Sequence, residues 1–144
     1  MKLSEHFDLS EFTVSQEAVR KGINNLPTDE IISRLRDLCT HILEPIRDLA
    51  GKPLSITSGY RSPELNQTIG GSTTSQHCKG EAADFHAQGY TTEELFQLVK
   101  SSNIPYDQLI QEFSSWVHVS YRPNNRRQAL YAVKENGQTK YEPA

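Results

Sequence analysis

Three side chains in this sequence have the types and spacing that a divalent metal ion requires: His77, Asp84 and His118. Zinc enzymes hold their ion with three nitrogen or oxygen side chains and leave a fourth position for water. Two imidazoles and one carboxylate suit zinc better than magnesium or calcium, which prefer all-oxygen shells. His77 closes a loop rich in Ser and Gly, and Asp84 falls in a short strand just after it. His118 alternates with Val117 and Val119, so it faces away from them. An imidazole on a sheet face needs a partner, either a metal ion or a hydrogen bond. Spacing alone leaves both open. His6 and His41 read as ordinary structural histidines. His86 shares a strand face with Asp84, which suits either a residue supporting a ligand or one on the rim of a site.

These residues need elements that bring them together. Ile31, Leu35, Leu38, Ile42, Ile46 and Leu49 recur at three- and four-residue steps and predict a helix over 28–50. Thr28 caps its start, Gly51 and Pro53 stop it, and Pro45 predicts a kink at His41. Leu54 and Ile56 alternate with polar residues as in a strand over 53–58. Ser62-Pro63 opens a short helix that Gly70-Gly71 ends. Residues 72–80 then read as loop and 81–86 as a second strand. Thr91 and Glu94 form a capping box for a helix reaching about Ser101. The runs 108–113 and 116–121 read as a hairpin around Ser114-Ser115, with a third strand over 129–133. The tail from Glu135 is polar and expected to fray. The fold class is therefore α+β, a small and mostly antiparallel sheet flanked by helices, in a single domain over 1–144.

Composition removes several function classes. With 15 basic against 18 acidic residues, the net charge of −3 disfavours a general nucleic-acid binder. No apolar run approaches the ~20 residues of a membrane span, so no membrane insertion is expected. Two cysteines are too few for a disulfide framework, and Cys39 lies on the apolar stripe of its helix, where a buried thiol is expected. The start, MKLSEHFDLSEF, has no basic region followed by an apolar one, so no signal peptide is visible.

The stretch Ser75-Gln76-His77-Cys78-Lys79-Gly80-Glu81-Ala82-Ala83-Asp84 follows the pattern Ser-x-His-x-x-Gly-x-Ala-x-Asp. Ser58-Gly59-Tyr60-Arg61-Ser62-Pro63 precedes it and Trp116-Val117-His118-Val119-Ser120 follows. Together these resemble the zinc D-alanyl-D-alanine carboxypeptidase family, which groups with lysostaphin-type peptidases and hedgehog domains. Leu9-Ser10-Glu11-Phe12 is similar to the compact, phage- or prophage-encoded branch of that family. The resemblance implies a hedgehog-like α+β fold and binding of Zn2+ by His77, Asp84 and His118. It also implies hydrolysis of amide bonds in peptidoglycan stem peptides, with release of a terminal D-alanine foremost. The alternatives are an endopeptidase cutting between L-Ala and D-Glu or across a cross-link, and a zinc-stabilised wall-binding module without turnover.

Zinc acidifies a bound water and polarises a carbonyl, but a carboxylate must still move the proton. Glu112 is the expected base, because a turn about Ser115 sets it opposite His118. Several relatives carry the acid three residues before the final His, where this chain has Ser115; Asp107 is the reserve candidate. Arg61, ahead of the Ser62-Pro63 helix start, is the expected clamp for a carboxylate or oxyanion. Ser75 and Trp116 are expected to contact substrate. The expected partner is a stem peptide or muropeptide, and the expected state is a monomer. Synthesis is expected in the cytoplasm, with release to the wall by a phage lysis or particle route.

Overall fold

The computed structural model describes residues 1–144. The long helix predicted over 28–50 is present in three parts: α3 (Asp29–Leu38), a π turn (Cys39–Leu43) and α4 (Glu44–Ala50). Two short helices precede it, α1 (Ser10–Thr13) and α2 (Gln16–Lys21). The distortion expected from Pro45 takes the form of that π turn, centred on His41. Proline has no N–H and its ring would collide with the His41 carbonyl in α geometry, and the wider turn just ahead of it relieves the conflict. Within the turn the Glu44 N–H donates to the Cys39 carbonyl. The extra residue also rotates the stripe: Leu49 is 45% exposed and Ala50 takes the inward position.

The predicted strands β1 (Leu54–Ser58) and β2 (Ala82–Ala87) form, as do the hairpin strands β3 (Gln108–Glu112) and β4 (Trp116–Ser120). Helix α5 (Pro63–Thr68) starts where Ser62 accepts a hydrogen bond from the Leu65 N–H. The loop expected over 72–80 contains a 3-10 turn, Gln76–Lys79. Helix α6 (Thr92–Lys100) carries the reciprocal Thr91–Glu94 capping box. The third expected strand is β5 (Gln128–Glu135), and it runs parallel to β3.

The tail from 135, expected to fray, instead forms β6 (Gln138–Pro143) paired antiparallel with β5. Asn136 and Gly137 both have positive φ, +53° and +78°, as a tight type I′ hairpin turn demands. The resulting sheet has six strands in the order β1-β2-β4-β3-β5-β6, antiparallel except at β3/β5, so the α+β fold class holds. No helix is long and apolar enough to cross a membrane.

Alternation along the strands divides the two sheet faces. Ala83, Phe85, Leu109, Val117 and Val119 join the inward faces of the helices in one core of 23 buried residues. The opposite face carries Asp84, His118, Ile110, Glu112, Leu130 and Ala132. The buried thiol of Cys39 belongs to the core, and burial pushes its pKa well up; both cysteines are free.

Candidate metal centre

Strand register assembles the centre. Asp84 in β2 pairs directly with His118 in β4, both on the face away from the core. His118 Nδ1 lies 2.9 Å from Asp84 Oδ1, and His77 Nε2 lies 3.4 Å from the same oxygen. One ligand atom from each of the three residues falls within 4.8 Å of the others. His77 comes from the 3-10 turn, where the Ser75 hydroxyl accepts from the His77 N–H and Gly80 closes at φ +73°.

The His77 ring is held from behind. Its Nδ1 lies 2.7 Å from the Gly59 carbonyl, which can only accept, so the proton sits on Nδ1 and the Nε2 lone pair faces Asp84. Burial lowers the pKa of His77 and favours the neutral form a ligand must have. Burial raises that of Asp84, but the charges and hydrogen bonds of His77 and His118 outweigh it and hold the carboxyl well below its usual range. For His118, burial acts downward and is outweighed by the hydrogen bond and charge of Asp84, so its pKa rises. Three buried donors of the nitrogen and oxygen types zinc prefers, one with its tautomer set by a backbone carbonyl, fit that ion.

Gly59 has no room for a side chain. A Cβ there would lie 2.6 Å from the Phe12 Cα and 2.7 Å from the Phe12 carbonyl oxygen, both backbone atoms. Gly59→Ala is therefore expected to destabilise the fold by about 3 kcal/mol and to displace the carbonyl that orients His77. Denaturant unfolding and zinc titration of the variant check both effects.

Glu112 stands beside the cluster, with Oε1 3.5 Å from His118 Nδ1. The register differs from the sequence expectation. The hairpin turns through Phe113-Ser114-Ser115, so Glu112 pairs with Trp116 and His118 with Ile110. The slip is two residues, which leaves Glu112 and His118 on one face. Phe113 and Ser114 both take positive φ, +58° and +57°. Burial pushes the Glu112 pKa up against the charge of His118, with a further lowering contribution from the Trp116 indole. That indole N–H is buried and makes no full hydrogen bond. Ser115, at the position several relatives use for the acid, is exposed on the turn and donates to the Phe113 carbonyl.

Arg61 follows β1 and lines the same groove, with Nη2 3.4 Å from the Ser75 hydroxyl and its Nε buried without a partner. The groove has a volume of about 640 Å³ and contains all three cluster residues, Glu112, Ser75 and Trp116. The structure thus brings the three expected ligands together with Glu112, Arg61, Ser75 and Trp116, whereas the reserve base Asp107 does not line the groove. His86 is exposed and pairs with Ser55, away from the groove, and Cys78 is outside the converging donor set.

Asp107 is fully buried and its carboxylate is already taken. Oδ1 accepts from the Arg126 backbone N–H and Nε, and Oδ2 from Arg126 Nη2 and Gln76 Nε2. Burial raises its pKa, but these bonds overcome that and lower it from 3.8 to about 2. A depressed folded-state pKa contributes stability above the unfolded value that is lost as pH falls through about 2. Asp107→Asn is accordingly expected to reduce stability by about 2 kcal/mol at neutral pH, and by little at pH values near and below the folded pKa. Urea titrations at the two pH values check this.

An N2O donor set at the base of a groove, with a carboxylate alongside, defines a metallohydrolase type of site. The sequence model of the peptidase M15 family matches residues 5–120, and the chain belongs to that family, a group of zinc metallopeptidases. A search among curated proteins found no match. Groove residues missed by sequence reasoning include Gln76 in the 3-10 turn, Ile110 on β3, Gln128 and Leu130 on β5, and Tyr141 on β6. The Asn136-Gly137 turn was the available signal for the last of these.

Proposed function

We propose that the protein hydrolyses amide bonds in peptidoglycan stem peptides, foremost releasing a terminal D-alanine as a carboxypeptidase. The observation that carries this reading is Arg61: a guanidinium on the groove wall beside the donor cluster, with a buried Nε that has no partner in the protein. A terminal carboxylate would satisfy that donor and neutralise the charge in parallel bonds. Ser75 would hold the guanidinium in place.

His77, Asp84 and His118 would hold the zinc ion. When bound, zinc supplies a Lewis acid that acidifies a water and polarises the scissile carbonyl. Glu112 takes the proton from the attacking water and then delivers it to the leaving amine nitrogen, so the carboxylate is regenerated in each turnover. Its burial-raised pKa makes it a better base than a solvated carboxylate. Arg61 orients the leaving residue, and the free Trp116 indole N–H offers a donor to substrate. Release through a phage lysis or particle route would bring the enzyme to its substrate.

A second reading, endopeptidase cleavage within the stem or a cross-link, is favoured by one feature: Arg61 also lines a separate cavity of about 410 Å³, so substrate has room beyond the clamp. Mass spectrometry of defined stem peptides, with and without chelator, tests both readings. Loss of one terminal alanine, abolished by chelator, supports the carboxypeptidase. Internal cleavage products support the second reading, and intact peptides overturn both.

A further inference from the structure

The family match ends at residue 120, but the sheet does not. Strands β5 and β6 extend it from the free edge of β3. The pairing aligns Glu112 with Ala132 and Ala132 with Tyr141, so the three share one row and one face. With strands about 4.8 Å apart, Glu112 and Tyr141 are separated by roughly 10 Å of backbone across a residue that carries only a methyl group. A phenol ring can lean across that gap. Tyr141 does line the groove that holds Glu112, and burial, with a smaller contribution from the Glu112 charge, raises the phenol pKa. In the neighbouring row Ile110 pairs with Leu130, giving the groove an apolar floor beside that ring. Tyr141 is nonetheless 54% exposed, a large aromatic on an open groove wall.

Position along the sheet assigns a side to this wall. Arg61 follows β1, at one end of the strand order, and Tyr141 lies in β6 at the other. Asp84, His118 and Glu112, on β2, β4 and β3, stand between them. Resting on the peptidase reading, in which Arg61 holds the leaving residue, we propose that Tyr141 and Leu130 form a subsite for the peptide residue on the acyl side of the scissile bond. The subsite takes an apolar or aliphatic-stemmed side chain against the phenol ring, so the β5–β6 hairpin sets which stem peptides are accepted. Tyr141 is then a specificity residue that contacts substrate and takes no part in proton transfer.

Trp116 is the only tryptophan and lines the same groove, so its fluorescence reports peptide binding independently of turnover. The experiment titrates a stem pentapeptide into the zinc-loaded wild type, Tyr141→Ala and Tyr141→Phe, and measures hydrolysis of the same peptide. Tyr141→Ala is expected to raise Kd and KM about tenfold with kcat changed less than about threefold, and Tyr141→Phe to stay within about twofold of wild type. Unchanged Kd and KM in Tyr141→Ala would overturn the subsite while leaving an active wild type as a peptidase. A fall confined to kcat would also overturn it. Binding that depends on Tyr141 in a wild type that cleaves nothing would sustain the subsite and overturn the peptidase reading. A wild type that neither binds nor cleaves overturns both.

Discussion

Glu112→Gln is expected to lower peptide hydrolysis by about 10²–10⁴-fold while leaving zinc content and thermal stability close to wild type. The substitution keeps the shape of the side chain and removes the one property the mechanism asks of it, the ability to gain and release a proton. Glu112 reaches the cluster from β3 and is not among the three converging donors, which is why the ion should stay. Its Oε1 is 3.5 Å from His118 Nδ1, near enough to serve a water on the open side of the cluster. Steady-state kinetics together with metal analysis of the variant check the prediction. Activity equal to wild type would remove Glu112 from proton transfer. Asp107 could not simply inherit the role, because both its oxygens already accept bonds from Arg126 or Gln76.

The second large effect concerns the ligands themselves. Asp84→Asn is expected to weaken zinc binding by more than about 10²-fold and to abolish turnover at stoichiometric zinc. Losing a residue that merely orients a ligand costs about 10–100-fold in affinity, and Asp84 would be a ligand. Asp84 also connects the other two: a single oxygen is the near neighbour of both His77 and His118. An amide carries no charge to compensate the ion, so the loss exceeds that of geometry alone. Zinc titration monitored by competition with a chromophoric chelator, alongside kinetics at rising zinc, measures both parts.

Much of the site was legible because the residues that build it are local and typed. His77 and Asp84 lie seven residues apart within one motif, and the Val117-His118-Val119 alternation alone placed His118 off the core face. The hairpin register was less legible. The three-residue loop Phe113-Ser114-Ser115 puts Phe113 and Ser114 in left-handed backbone without the Gly or Asn that normally marks such a turn, so the turn centre was misplaced. The error survived harmlessly, because a two-residue slip preserves the strand face. Pro45 marked where the long helix departs from α geometry, yet the π form of the turn at Cys39–Leu43 depends on packing that sequence does not display. Strand β6 was missed for a different reason. All six of its residues are exposed, so no burial pattern marks it, and only the Asn-Gly turn before it signals pairing. The groove wall it supplies, with Tyr141, was invisible for the same reason.

Hydrolysis by this groove requires His77, Asp84 and His118 to share one ion, and calorimetric titration of zinc into metal-free protein is the decisive check. One zinc ion per chain is expected, with a rise in unfolding free energy of about 2.7 kcal/mol at free zinc one hundred times the Kd, and loss of both in Asp84→Asn. Folded wild-type protein that takes up no zinc, or an Asp84→Asn variant that binds it as tightly as wild type, would contradict the shared ion.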